Sequence, residues 1–354
     1  MSRFFSEKYA FLEPYTPGEQ PQDRRYIKLN TNESPFPLSS FAAKEAEEAS
    51  GRMQLYPDPE CGELVRTAAA VYGLNENEML FTNGSDEALN FAFMAYCSDA
   101  KPAVFPNITY GFYPVFAEIN SVPYVEIPLR EDFTIRIEDY FRTGKTVFLA
   151  NPNAPTGIAL KRGEIEEILK QNRDSVIVID EAYVDFGAES CIPLIHGYEN
   201  LLVVQTFSKS RSMAGARLGF AAGNPSLIED LRTIKYSTNP YNINRFTMAA
   251  GIGVLKDEEY TARNCAAIRE IRSYTADELK KLGFIMTDSL SNFLFVRHPH
   301  ISGEKLYLRL KEKGILIRHF SKEEIREYNR ITIGRKEDME ILTKAIREIL
   351  EENV

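Results

Sequence analysis

The chain has 354 residues, 44% hydrophobic and 26% charged, an ordinary globular mix that excludes a disordered, collagen-like or low-complexity protein. Its 51 acidic against 42 basic residues give a formal charge of −9, so nucleic acid is a poor partner and any anionic ligand needs a local cluster of donors. No long apolar run suits a membrane span, and the opening MSRFFSEKYAFLEPY lacks the apolar stretch of a signal peptide, so no membrane association is expected.

In chain order, residues 1–35 read as an extended N-terminal arm, polar and interrupted by Pro14, Pro17, Pro21 and Pro35. Short, almost continuously apolar runs follow at 79–82, 103–105, 146–150, 175–179, 201–207 and 218–222, as buried and mostly parallel strands read. Amphipathic helices lie between several of them, including Ser85–Cys97 and Arg162–Asn172. Alternating strands and helices predict an α/β fold over 36–256, with a mostly parallel mixed sheet and helices on both of its faces. From 257 to 354 the texture changes. A long charged helix over Asp257–Leu282 leads into strands at 292–296, 315–317 and 329–333, with helices at Gly303–Lys313 and Glu337–Glu351. That is a smaller α+β C-terminal domain against which the arm is expected to pack.

The four cysteines (Cys61, Cys97, Cys191, Cys265) form no CxxC pair and the four histidines no HExxH, so no metal site is expected, and reduced thiols suit a cytoplasmic protein. Three buried strands instead end in polar residues that a core does not request. TVFLA runs into Asn151 and the loop NPNAPTG, SVIVI into Asp180, and LLVVQTF into Ser208-Lys209. In open α/β sheets ligands bind beyond the carboxyl ends of the strands, so an amide, a carboxylate and an amine converge on one crevice. Pyridoxal phosphate needs that set: a lysine to hold its aldehyde as a Schiff base, an aspartate to keep its ring nitrogen protonated, and donors for its phosphate. Asn83-Gly84-Ser85-Asp86, opening a helix after a strand, together with Ser208 and Arg217, supplies phosphate donors. No GxGxxG follows a strand and no GxxxxGK[ST] is present, so nicotinamide and nucleoside triphosphate readings lose their main support.

SKSRSMAGARLG (208–219), with DEAY (180–183) and PNAPTG (152–157) before it, resembles the lysine motif region of fold-type I pyridoxal-phosphate aminotransferases of the class II subgroup. LNTNESPFP (29–37), YPDP (56–59), NGSDEAL (83–89), NITYGFY (107–113), DEAYVDF (180–186) and NRITIG (329–334) are similar to the histidinol-phosphate aminotransferase family of histidine biosynthesis. The resemblance implies that Lys209 is the Schiff-base lysine and proton carrier, that Asp180 pairs with the pyridine nitrogen, and that Tyr183 donates to the ring 3-oxygen. It also implies that Tyr110 stacks on the ring and that Ser85, Asp86, Ser208 and Arg217 hold the phosphate. Tyr56 would reach the neighbouring subunit's site in a homodimer. The sequence departs from the family pattern at Ala154, where an asparagine commonly contacts the ring 3-oxygen; Asn153, one residue earlier, is the candidate to supply that contact.

For the substrate, the resemblance assigns Arg330 to its distal anion, with Arg318 as a second arginine and Tyr15 facing the same phosphate; two guanidiniums suit a dianion. The implied reaction moves the amine of L-histidinol phosphate to 2-oxoglutarate, giving imidazole-acetol phosphate and glutamate. The alternatives are an aromatic-amino-acid aminotransferase or a threonine-phosphate decarboxylase of the same fold. A regulator that keeps the fold as a sensor would normally add a DNA-binding module, and only a short arm precedes the domain.

Overall fold

The computed structural model describes residues 2–10 and 12–352; Met1 and Phe11 of the expected arm, and Asn353 and Val354 of the expected C-terminal unit, lie outside them. The first half of the chain runs β1 (Ile27–Leu29), α1 (Ser40–Ala49), α2 (Gly62–Tyr72), β2 (Met79–Thr82), α3 (Ser85–Tyr96), β3 (Ala103–Pro106), α4 (Phe112–Ile119), β4 (Tyr124–Ile127), β5 (Thr146–Ala150) and α5 (Arg162–Gln171). It continues with β6 (Ile177–Asp180), β7 (Leu201–Thr206), β8 (Gly219–Gly223), α6 (Pro225–Thr238), α7 (Arg245–Lys256) and the long α8 (Glu258–Lys281). Last come β9 (Ile285–Met286), β10 (Phe293–Arg297), α9 (Gly303–Glu312), β11 (Ile315–His319), β12 (Asn329–Thr332) and α10 (Lys336–Glu351).

Seven strands form the larger sheet in the order β2-β8-β7-β6-β5-β3-β4. Only β8 runs against its neighbours, so the sheet is mixed and mostly parallel. The apolar runs sort by the period of two into the two faces. Val147, Leu149, Ile177, Ile179 and Val203 meet α2, α5 and α7 on one side. Phe148, Val178, Leu202 and Val204 meet α3, α4 and α6 on the other. β6 extends one residue past its apolar run, so Asp180 falls on the face of Val178, toward α4.

The smaller sheet has the order β1-β11-β12-β10-β9. Its first strand comes from the arm, which the sequence reads as merely extended: Ile27 to Leu29 pair in parallel with Ile315 to Ile317. Farther out, Tyr307 donates to Glu19 at 2.5 Å and Arg24 to the Glu312 carbonyl at 3.0 Å, tying the arm to α9. The core of this sheet, built with α8, α9 and α10, also takes in Ala154, Tyr183 and Phe186 from the larger unit. Among the described residues no helix is long and apolar enough to cross a membrane.

Candidate active site

The topology brings five chain segments to one edge of the large sheet. β2, β5, β6 and β7 all end there, and antiparallel β8 begins there, with Thr82, Gly219 and Thr206 in register. Ser85, Arg217 and Ser208 therefore converge although they lie far apart in the chain. The approach is close: a Cβ on Gly219 would sit 2.5 Å from the Ser85 backbone nitrogen, so only glycine lets β8 meet the start of α3. Gly84, at φ +77°, precedes that helix and no side chain caps it, so its first-turn N–H groups are available to an anionic ligand.

Two cavities share a wall at this edge. The inner one, about 130 Å³, is lined by Ser85, Asp86, Tyr110, Asp180, Ser208 and Arg217, with Lys209, Tyr183 and Ala154 at its mouth. Asp86 accepts from Tyr110 Oη at 2.7 Å and from Arg217 at 3.0 Å, and Arg217 also reaches Ser208 Oγ at 3.4 Å. Asp180 accepts from Tyr113 Oη at 3.1 Å and from the Ala182 N–H at 3.2 Å. Burial is the main force that pushes its carboxyl up to about 7, with Asp86 and Glu181 adding to the effect. Among the described residues its hydrogen-bond donors are both neutral, and a protonated ring nitrogen would answer its charge.

The outer cavity, about 450 Å³, shares Tyr110, Ala154, Tyr183 and Lys209 with the inner one and adds Tyr15, Arg318 and Arg330. Arg318 and Arg330 are cross-strand neighbours on β11 and β12. Arg330 donates to the Asn30 carbonyl at 3.0 Å, leaves its buried Nε without a partner, and lies over the rings of Phe293 and Phe320. Arg318 holds the Thr16 and Pro17 carbonyls at 3.2 and 3.3 Å, and Tyr15 stacks on Phe112 at 4.3 Å. Burial and the neighbouring Arg318 charge pull the Arg330 guanidinium below its ordinary value, the signature of a cation that lacks an anion.

Lys209 stands where the cavities meet, its Nζ 3.1 Å from the Thr31 carbonyl. Burial, then the Arg330 charge, lowers its amine to about 8, against a smaller opposing pull from Glu33 and Asp86. A fraction of neutral, nucleophilic amine is thus present at neutral pH.

The structure does not bring Asn153 to a cavity wall. Both of its amide hydrogens are used, on the Ile108 carbonyl at 3.0 Å and Thr156 Oγ1 at 3.1 Å, while its Oδ1 accepts from Thr109. Ala154 is the residue that lines both cavities, and it offers no donor. Tyr56 is 78% exposed, stacked on Tyr241, and lines neither cavity of its own chain. Two polar residues that sequence reasoning assigns no role stand against the site: Tyr113 beneath Asp180, and Asn32, whose amide donates to Tyr183 Oη at 2.9 Å. Both fall inside motifs that carry the family resemblance, which was the available signal, but their partners lie 67 and 151 residues away.

The donor set of the inner cavity suits pyridoxal 5′-phosphate: amine, carboxylate, aromatic face, helix N-terminus, hydroxyl and guanidinium surround one chamber. Residues 24–346 match the family model described as aminotransferase class I and II. The chain is 49% identical over 352 residues to a histidinol-phosphate aminotransferase of Brachyspira hyodysenteriae, covering 99% of each chain. It is also similar to the crystal structure of the histidinol-phosphate aminotransferase of Clostridium acetobutylicum, with TM-score 0.86 and 25% identity over 93% of this chain and 100% of that one. The enzyme of that name from Sinorhizobium meliloti, solved in complex with pyridoxal-5′-phosphate, shares the fold at TM-score 0.91 and 22% identity over 100% and 99% of the two chains. The class is that of the fold-type I aminotransferases. Within it, the chain belongs to the histidinol-phosphate aminotransferase family.

The buried Asp180 carries a cost that makes a first prediction. Its folded-state pKa, about 7, lies above the ordinary 3.8, so the folded chain holds an extra proton between those values and stability falls as pH rises through that window. Asp180→Asn is expected to stabilise the cofactor-free protein at pH 8, by on the order of 1–4 kcal/mol. The same variant should bind pyridoxal phosphate at least ~100-fold more weakly, the loss of one buried charge pair. A denaturant titration and a cofactor binding curve measure the two effects; destabilisation by Asp180→Asn would contradict the account.

Proposed function

We propose that this chain is a cytoplasmic, homodimeric enzyme that transfers the amino group of L-histidinol phosphate through pyridoxal 5′-phosphate to 2-oxoglutarate. The observation that carries the reading is the place of Lys209 at the common wall of two chambers, one lined for a phosphorylated ring and one for a phosphorylated amine.

When bound, the cofactor supplies an electron sink that acidifies the Cα–H of an amine attached to it. Ser85 and Asp86, partly through their backbone N–H groups, with Ser208 and Arg217 would hold its phosphate, Asp180 would keep its ring nitrogen protonated, Tyr110 would cover one ring face, and Tyr183 would donate to the ring 3-oxygen. Lys209 would hold the aldehyde carbon at rest, and its neutral amine, when free, would take the proton from Cα. Arg330 and Arg318 grip the phosphate of the donor, with Tyr15 closing over it, and the same arginines accept a carboxylate of 2-oxoglutarate. The rings of Phe293 and Phe320 beside the Arg330 guanidinium lower the local polarity, so an anion there is less screened than at an exposed surface.

A half-reaction tests this. Cofactor-loaded protein is given L-histidinol phosphate without a keto acid, and the visible absorption band is followed. Loss of the band at micromolar donor, restored by 2-oxoglutarate without release of CO2, supports the reading. Bleaching by phenylalanine or tyrosine with histidinol phosphate inert would point to an aromatic aminotransferase, and CO2 release to a decarboxylase.

The exposed Tyr56 makes the dimer testable. Lys209→Ala and Tyr56→Ala proteins should each be poorly active, and mixing them with subunit exchange should restore about one quarter of wild-type activity, because half the dimers are hybrid and each has one intact site. An unrestored mixture that has exchanged subunits would exclude Tyr56 from the partner's site.

A further inference from the structure

Tyr183 is 8% exposed, and its hydroxyl is a hydrogen-bond acceptor: Asn32 Nδ2 donates to it at 2.9 Å. The hydroxyl hydrogen is left for the cavity that Tyr183 shares with Lys209. Asn32 is itself held on every side. It is 1% exposed, its backbone N–H donates to Thr332 Oγ1 at 2.9 Å, and Thr332 Oγ1 donates back to Asn32 Oδ1 at 3.1 Å. Asn292 donates to the Asn32 carbonyl at 2.9 Å. Its φ of +56° lies in the left-handed region, which asparagine tolerates better than most residues. Thr332 lies two residues beyond Arg330 on β12, so the strand that carries the anion-binding guanidinium also sets the position of Asn32.

The need for such a device is plain at Ala154. The loop residue beside the cavity is a methyl group, and Asn153 has spent both amide hydrogens elsewhere. Tyr183 is then the donor available on this side. A hydroxyl whose oxygen accepts a hydrogen bond donates more strongly through its hydrogen.

We propose that Asn32 is a positioning residue: fixed by Thr332 and Asn292, its amide holds the Tyr183 oxygen so that the hydroxyl hydrogen is directed into the chamber of Lys209. The assignment rests on the pyridoxal phosphate reading above. Burial raises the Tyr183 hydroxyl above its ordinary value, so it stays protonated as a donor, and the Arg330 charge and the Asn32 hydrogen bond offset that rise only in part. The other groups facing it are Asp180, Tyr15, Tyr113 and Lys209.

The test reads the pH titration of the visible absorption of cofactor-loaded protein, not activity. A donor to the ring 3-oxygen stabilises its anionic form and lowers the titration midpoint. Tyr183→Phe should therefore raise that midpoint by about one to two pH units, the size of one hydrogen bond to a charged oxygen. Asn32→Asp preserves shape but takes the hydroxyl hydrogen for itself, and should raise the midpoint nearly as far. Asn32→Gly suits the left-handed backbone, removes the amide without adding charge, and should raise it by about half a unit. Thr332→Val should move it in the same direction. The double variant Asn32→Asp/Tyr183→Phe should match Tyr183→Phe alone, because Asn32 acts through Tyr183.

If wild-type protein forms no visible band with pyridoxal phosphate, the cofactor reading fails and this inference with it. If the band forms and Asn32→Gly titrates as wild type, the cofactor reading stands and the role of Asn32 is overturned. Additive shifts in the double variant overturn it equally, since a carboxylate acting only by its charge would add to the loss of Tyr183. Should the Asn32→Asp protein fail to fold, Asn32→Gly decides.

Discussion

Lys209→Ala is expected to abolish transamination, lowering turnover by at least ~10⁴-fold, the upper range for a proton-transferring group, before the loss of the covalent anchor is counted. The variant should also bind pyridoxal phosphate without the wild-type visible band. A transaminase activity that survived in purified Lys209→Ala protein would end the mechanism, because the described residues offer no second amine on the common wall of the two chambers. The wild-type lysine has a pH signature as well. Its folded pKa of about 8 lies below the ordinary 10.5, so capture of pyridoxal phosphate should accelerate as pH rises through about 8, where the neutral amine becomes the major form. Stability has the matching sign. Below pH 8 the folded protein carries a buried cation, and between 8 and 10.5 the unfolded chain binds the more protons, so this group's cost is relieved as pH rises. Lys209→Met should accordingly stabilise the cofactor-free protein at pH 7, by on the order of 1–3 kcal/mol. Activity and stability then move in opposite directions at one residue, the behaviour of a group kept for chemistry rather than packing.

The large sheet was legible because its chemistry is written locally. An apolar run ending in Asp180 or leading to Lys209 announces both a buried strand and a polar residue at its carboxyl end, and neighbouring parallel strands must present those ends together. Antiparallel β8 was also readable as a strand, but its direction was not, and that direction is what delivers Arg217 to Ser85 and Ser208. Three-residue β1 left no period to detect. It is a strand because Ile315–Ile317, nearly the length of the chain away, offers an open edge. The same distance hid Asn32. Nothing in LNTNESPFP says that the second asparagine turns into the left-handed region and bonds a tyrosine 151 residues away. Asn153 fails in the opposite sense. Its neighbourhood in sequence put it at the site, but its amide is taken up by Thr156 three residues on and by Ile108 and Thr109, 45 and 44 residues earlier.

The largest effect on substrate choice is expected at Arg330. Its guanidinium sits among aromatic rings with an unpartnered Nε, so an anion reaching it gains charge-assisted hydrogen bonds in a weakly screened pocket. Arg330→Gln should lower kcat/KM for L-histidinol phosphate by ~10²–10³-fold, one strong buried ionic contact, and should lower it for 2-oxoglutarate as well. Arg318→Gln separates the two substrates. A second guanidinium counts for most against a dianionic phosphate, so this variant should lose ~10-fold or more on the phosphorylated donor and less on the carboxylate. Unphosphorylated histidinol provides the control, because it lacks the group that both arginines are proposed to grip, and its poor reactivity should change little in either variant. Arg318 also holds the arm through the Thr16 and Pro17 carbonyls, and a loosened arm would weaken every substrate alike. Equal losses on histidinol phosphate, histidinol and 2-oxoglutarate would therefore reduce Arg318 to an anchor of the arm. A loss confined to the phosphorylated donor makes it the second half of a phosphate clamp, and makes the outer chamber the place where this chain distinguishes a phosphorylated amine from an ordinary amino acid.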